Sequence, residues 1–202
     1  MDHLEIEVKF HLTDPGAVRT AVRGLGGTSR GRAFETNLIL DNGERALSRN
    51  HALLRLRQAE KTWLTFKNPP DSPDTTFKIR REREVEVSDF ATTRQILKKL
   101  GFRTVRIYEK WRETFEFGQA QLCLDTLPFG DFLEIEGARE EILNLTERLG
   151  FDWAQRSVLN YHELFELVKT DQQLTFMDIT FANFEGVGVE MTKLKALFEA
   201  GS

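Results

Sequence analysis

The chain has little from which a covalent or metal–sulfur scaffold could be made. Its 202 residues include one cysteine, Cys123, which excludes an internal disulfide and any cysteine-based zinc cluster. No apolar run exceeds a few residues, so no transmembrane helix is expected. Neither sign of charge dominates: 28 Lys+Arg against 32 Asp+Glu leave a formal charge of −4, without the basic surplus of a general nucleic-acid binder. The first residues, Met1-Asp2-His3-Leu4-Glu5, carry charge and lack the apolar core of a signal peptide. No Walker A sequence exists, which excludes a P-loop nucleotidase at the motif level. His3, His11, His51 and His162 have no metal-ligand spacing. Gly27-Thr28-Ser29-Arg30-Gly31 fits the GxSxG pattern of serine hydrolases, but a helix precedes it and a strand follows, so it reads as a loop. The expectation is a cytoplasmic globular protein that binds neither membrane nor nucleic acid.

What the chain does have is period-two alternation, the mark of half-buried strands. Eight stretches carry it: 3–11, 34–41, 51–58, 61–68, 75–88, 103–117, 119–127 and 130–137. Turn chemistry at Asn68-Pro69-Pro70-Asp71, Phe117-Gly118-Gln119 and Pro128-Phe129-Gly130-Asp131 keeps connections short, which predicts antiparallel pairing. Four helices are inserted: one opened by Asp14-Pro15 and stopped by Gly26-Gly27, one from near Ser88 to Gly101 that buries Phe90, Ile96, Leu97 and Leu100, one over 138–149, and one over 154–168. Residues 170–202 change character, with a β-like stretch at Leu174–Phe181 and a short amphipathic helix around Glu190–Phe198. They read as an extension that docks on the main body.

An antiparallel sheet ordinarily turns its charged face to water. Two features point the other way here. The shared charged faces hold eight basic residues (Lys9, Arg55, Arg57, Lys67, Lys78, Arg80, Lys110, Arg112) and eight acidic ones (Glu5, Glu7, Glu82, Glu84, Glu86, Asp125, Glu134, Glu136), with few Ser, Asn or Gln among them. Four amphipathic helices also need an apolar surface to cover, and the opposite strand faces supply one. The expectation is therefore an α+β fold: an eight-stranded antiparallel β-barrel with amphipathic helices packed outside and the charges in the lumen. Such a lining is tolerable if the charges pair, stay hydrated or hold a multiply charged ligand. A polyphosphate with a divalent cation fits. Carboxylates at alternate positions are the hard donors that Mg²⁺ or Mn²⁺ prefers, and arginines and lysines match phosphate oxygens.

Glu5-Ile6-Glu7-Val8-Lys9 has the ExExK form. Behind it come Leu54-Arg55-Leu56-Arg57, Leu64-Thr65-Phe66-Lys67, and Phe77-Lys78-Ile79-Arg80 running into Glu84 and Glu86. Lys110 and Arg112 follow, then Leu124-Asp125, then Gly130-Asp131-Phe132-Leu133-Glu134-Ile135-Glu136-Gly137. This ordered series, over about residues 1–168, resembles the CYTH superfamily, the triphosphate tunnel metalloenzymes, which include class IV adenylate cyclases, thiamine triphosphatases and inorganic triphosphatases. The resemblance implies a tunnel domain over 1–169 followed by the extension 170–202. It implies a catalytic role for Glu5, Glu7 and Lys9, with Glu5, Glu7, Asp125, Glu134 and Glu136 holding Mg²⁺ or Mn²⁺. Lys9, Arg55, Arg57, Lys67 and Arg80, with Arg112 or Lys110, would bind the triphosphate. Glu84 and Glu86 read as the acidic pair opposite, in a register open by two because Glu82 shares their face. The expected reaction is hydrolysis of the terminal phosphoanhydride of inorganic triphosphate, a nucleoside triphosphate or thiamine triphosphate. The alternative is cyclisation of ATP to cyclic AMP, and a third reading is a polyphosphate- or nucleotide-binding module. Arg156-Ser157-Val158-Leu159-Asn160-Tyr161 matches the family's pattern near the last helix only loosely, and residues 170–202 match none. A homodimer contact is one role open to that extension.

Overall fold

Alternation produces strands because each places one row of side chains on a helix-covered outer face and the other row inside. A computed structural model describes residues 3–72 and 74–190. Its strands are β1 (His3–Leu12), β2 (Thr28–Asp41), β3 (Leu53–Gln58), β4 (Thr62–Asn68), β5 (Lys78–Val87), β6 (Arg103–Phe117), β7 (Ala120–Leu127) and β8 (Gly130–Glu136). They pair antiparallel in the order β1-β5-β4-β3-β2-β6-β7-β8, and the ring closes where β8 meets β1. Register sets the charged rows side by side: Lys9 lies opposite Glu134, Arg112 opposite Asp125, and Lys67 opposite Glu82. The charged faces are inside, as their composition and the four amphipathic helices implied.

Among the described residues the helices are α1 (Pro15–Gly24), α2 (Ala46–Arg49), α3 (Phe90–Lys99), α4 (Arg139–Arg148) and α5 (Tyr161–Gln172), with a single 3₁₀ turn at Trp153–Gln155. None is long and apolar enough to cross a membrane. Asp14 caps α1 by accepting from the Ala17 N–H at 2.9 Å, and Pro15 fits the first turn because its missing N–H has no partner there. α1 and α4 cover one outer face, where Val22, Ile142 and Leu145 pack on Val8, Leu122 and Ile135. α3 covers β2 and β3 through Leu97. α5 and the chain after it bury Phe165, Val168, Ile179 and Phe184 against Tyr108, Phe129 and Phe132.

Several boundaries differ from those expected. β2 starts at Thr28, well before 34, so Gly27–Gly31 runs into a strand with a register shift between Ser29 and Arg32. The last helix, expected over 154–168, begins at Tyr161, where Asn160 and Glu163 form a capping box that fixes its start, and runs to Gln172. In α3 only Leu97 is buried; Ile96 and Leu100 are exposed. The helix expected around Glu190–Phe198 falls beyond the described residues.

Two strands, β6 and β1, run past the end of their pairing with one neighbour, and each leaves a half-edge. β6 pairs with β7 only from Trp111 onward, so its Arg103–Lys110 half has β2 on one side alone. Residues after α5 close that edge: Ile179 N–H donates to the Ile107 carbonyl at 2.8 Å, and Glu109 N–H donates to the Ile179 carbonyl at 2.8 Å. Asp178 accepts from the Ile107 N–H at 2.7 Å. On β1, Lys9 and Ser157 exchange backbone hydrogen bonds of 2.9 and 2.7 Å past the end of the β5 pairing. These two seams bring the start of α5 to one end of the lumen.

Candidate active site in the lumen

The lumen is a cavity of about 550 Å³ lined by nine acidic and nine basic side chains. β1 supplies Glu5, Glu7 and Lys9, and β8 supplies Glu134 and Glu136. In an eight-strand ring of this order those two strands lie across from β2 and β3, which present Glu35, Arg55 and Arg57. β4, β5 and β6 fill the sides with Lys67, Lys78, Glu84, Lys110 and Arg112.

Most of these charges are paired and several are fully enclosed. The Lys9 ammonium, 2% exposed, lies 2.6 Å from Glu7 and 3.1 Å from Glu134. Burial alone would lower the Lys9 pKa, but Glu134 and Glu7 outweigh it and hold the group charged. Burial would likewise raise the Glu7 carboxyl; Lys78 and Lys9 beside it keep it well below the usual range. Glu134 is held down in the same way by Arg112 and Lys9 against its own burial. Lys67 reaches Glu5 and Glu82, both at 2.5 Å. Across the ring, burial opposes ionisation of Glu35, yet Lys110, Arg112 and Arg57 bring it down to about 2. Arg57 lies 3.4 Å from Glu84 and 3.5 Å from Glu35.

Glu136 stands apart from this pattern. Burial, and then the nearby Glu5 and Glu7 carboxylates, push its pKa up to about 7. Glu5 and Glu7 have lysines beside them, whereas no ion pair to Glu136 is found among the described residues. Among the described residues no three carboxylate, imidazole or thiol groups converge as a ready ligand set, and Glu5, Glu7 and Glu134 are each turned toward a lysine or arginine. The chemistry of the donors still suits a hard divalent cation, because such an ion can replace the proton that Glu136 retains. Glu5, Glu7, Glu134 and Glu136 are the residues able to hold it.

The structure brings Glu5, Glu7, Lys9, Arg55, Arg57, Lys67, Glu84, Lys110, Arg112, Glu134 and Glu136 to the lumen. Three expected members lie elsewhere. Asp125, expected on the metal side, sits behind the lining with its side chain 0% exposed. Its oxygens accept from Lys110 at 2.8 Å, Arg112 Nε at 2.7 Å and the Tyr161 hydroxyl at 2.7 Å, so it positions the basic groups. Arg80 donates to the His51 carbonyl at 3.0 Å, outside the cavity. Glu86 pairs with Lys61 at 2.8 Å, both largely exposed. Of the acidic pair, Glu84 alone lines the lumen, where it accepts from Thr65 at 2.5 Å and faces both arginines. Arg156 lies over the Trp153 ring and bonds backbone carbonyls, away from the lumen.

Sequence reasoning missed Glu35, Tyr108, Asn160, Tyr161 and His162, all in the lining. Glu35 shares a strand face with Asn37, a pattern hidden because Ile39 continues that same face. Tyr161 lies on the apolar stripe of α5, yet its ring sits 5.3 Å from the Lys9 ammonium and 5.1 Å from that of Lys110. Cys123 is buried on the charged face, and burial pushes its thiol up to about 12, so it is no nucleophile.

The family model of the CYTH domain matches residues 3–164. A Methanocaldococcus jannaschii protein named as a putative adenylate cyclase is 29% identical over 141 residues, which is 69% of this chain and 79% of that protein. The X-ray structure of a putative adenylate cyclase from Vibrio parahaemolyticus superposes with a TM-score of 0.74 at 19% identity, over 82% of this chain and 99% of that one. A Hippeastrum protein, described as a putative adenylyl cyclase with a dominant triphosphatase activity, superposes with a TM-score of 0.57 at 16% identity, over 82% of this chain and 95% of that one. At these identities the two structures speak to the fold alone.

Proposed function

Because the chain belongs to the CYTH domain family, we propose that its lumen is the active site of a divalent-metal-dependent triphosphatase that cleaves the terminal phosphoanhydride of an inorganic or organic triphosphate. The observation that carries this reading is the division of the lining. Crowded carboxylates on β1 and β8 face arginines on β3, and the two signs are equal in number. A triphosphate alone would leave such a lumen strongly negative; a triphosphate with divalent cations would not.

The chain's own groups divide the work. Glu5, Glu7, Glu134 and Glu136 would hold Mg²⁺ or Mn²⁺. When bound, the ion supplies charge neutralisation and Lewis-acid polarisation of phosphate oxygens. Arg55 and Arg57 offer planar forks for bidentate phosphate contact, and Lys67, Lys78 and Lys110 act as point charges. Asp125 holds Lys110 and Arg112 in place from behind. Lys9, kept charged by Glu134 and Glu7, donates to whichever oxygen gains charge in the transition state. Fixed donors in an enclosed site need little reorganisation, so orientation and electrostatics account for the catalysis.

Cyclisation of ATP to cyclic AMP is the second reading, favoured by the name of the Methanocaldococcus jannaschii relative. The same lining serves both reactions, and they differ in whether the terminal or the α-phosphorus meets the nucleophile. The test is a product assay with Mg²⁺ or Mn²⁺ on tripolyphosphate, ATP and thiamine triphosphate in parallel, with Glu5→Ala as blank. Orthophosphate release that falls at least a hundredfold in Glu5→Ala is the expected result. Cyclic AMP with pyrophosphate would replace the hydrolase by the cyclase. Binding without either product would leave a polyphosphate-binding module.

A further inference from the structure

The lining contains one group that the protein leaves unsatisfied. His162, the second residue of α5, borders the cavity with Asn160 and Tyr161. Both its ring nitrogens are shut off from solvent and have no hydrogen-bond partner among the described residues. Buried polar atoms in native proteins are nearly always paired, so two orphans on one ring call for a reason. The ring stands edge-on to Tyr108 with centroids 5.1 Å apart, and the Tyr108 hydroxyl accepts from Arg55. This contact ties His162 to the arginine wall of the lumen.

The surroundings select what could satisfy it. After burial, Arg106 and Lys78 are the influences that keep the imidazole neutral, with its pKa down at about 3. Arg106 is paired with Glu166 at 2.7 Å and Lys78 with Glu7 at 2.5 Å, and of the two cations Lys78 faces the cavity. α5 adds the positive end of its dipole at the same place, its His162 and Glu163 N–H groups being taken by the Asn160 side chain. A cation is repelled there, and an apolar group would leave both nitrogens orphaned. An oxyanion is attracted by Lys78 and accepts an imidazole N–H.

We propose that His162 is a ligand-contacting residue, donating an imidazole N–H to a phosphate oxygen at the α5 end of the lumen. The torsion that turns the ring is broad, so a nitrogen can swing to the cavity when an acceptor arrives. This rests on the reading of the lumen as a triphosphate site, and it adds to the charged set a neutral donor supplied by a helix outside the strands.

The test uses the full chain with Mg²⁺ and an imido-bridged tripolyphosphate, which binds without being cleaved. Histidine-labelled protein has four ring systems to follow by NMR, and His162→Phe assigns one of them. The expected result is a saturable shift of the His162 ring nitrogens with little change at His11 and His51. In parallel, calorimetry should give at least tenfold weaker binding for His162→Phe, partly recovered in His162→Gln. Phenylalanine removes buried unpaired polar atoms, so the variant should melt no lower than wild type, which separates lost contact from lost fold. Unshifted His162 resonances in wild-type protein that binds the analogue, with His162→Phe binding within twofold, would overturn the proposal. Absence of binding to wild-type protein would instead bring down the triphosphate reading, and this inference with it.

Discussion

Burial acts on Glu136 and His162 with opposite consequences for stability. The native Glu136 carboxyl titrates near 7, against 4.5 when unperturbed, so between those values the folded chain holds a proton that the unfolded chain has lost. Its contribution is present below about 4.5 and declines as pH rises through 7. Native His162 titrates near 3, against 6.5, so between those values the unfolded chain holds the extra proton. Its contribution is complete above about 6.5 and declines as pH falls toward 3. In metal-free protein between about pH 5 and 6.5 the two slopes, each about 1.4 kcal/mol per pH unit at most, oppose each other. Glu136→Gln should therefore make stability rise with pH across that window, and His162→Phe should make it fall. Urea midpoints at half-unit steps in EDTA check this, and parallel profiles for wild type and both variants would refute it. A second comparison separates two arginines that the sequence treats alike. Arg57 lines the lumen and Arg80 bonds a loop carbonyl, so Arg57→Ala should raise KM for the triphosphate at least tenfold and Arg80→Ala less than twofold. Equal effects would mean that Arg80 turns into the lumen when ligand binds.

Elements are where sequence and structure diverge most, and each divergence has a local cause. Strict alternation made β1, β4, β7 and β8 legible to within a residue or two. It failed for the first part of β2, because Thr28–Ala33 offers no apolar row and carries a register shift. Val158 and Leu159 extend the apolar pattern of the last helix toward the N-terminus, but the Asn160–Glu163 capping box decides its start. The half-edge of β6 could not be read at all. Strand lengths depend on how β2, β6 and β7 align, which no local pattern contains. The edge is closed by Ile179, fully buried and hydrogen-bonded on both sides of its backbone. Truncation at that position removes packing against Tyr108 and the Phe165 group without disturbing the strand backbone. Ile179→Ala should cost about 2–4 kcal/mol in chemical denaturation. A loss under about 0.5 kcal/mol, the range of surface substitutions, would mean that the extension is dispensable to the barrel.

For the whole molecule, the legible feature was that charge lies inside, and the misplaced feature was its membership. Arg80, Glu86 and Asp125 leave the expected set, while Glu35, Glu60, Glu116, Arg30 and Lys61 join it, yet the two signs remain equal in number. That equality governs how the enclosed charges respond to ligands. Most of them pair with one another, and pairs such as Lys9 with Glu7 and Glu134 offset the cost of their own desolvation. A triphosphate entering alone must compete with Glu84 and Glu35 for Arg57, and it brings negative charge into a balanced space. A divalent ion entering alone must draw Glu5 and Glu7 from Lys67, Lys78 and Lys9 and brings the opposite imbalance. Entering together, they keep the balance and leave each set of side chains a partner. The two ligands should therefore bind with positive coupling. A ligand at a hundred times its dissociation constant stabilises a fold by about 2.7 kcal/mol. The imido-bridged tripolyphosphate with Mg²⁺ should thus raise the melting temperature of the wild-type protein by more than the two separate shifts combined. If the analogue in EDTA raises it as much as the pair, the lumen must hold a positive surplus that the balanced lining denies it, and the metal would have no part in binding.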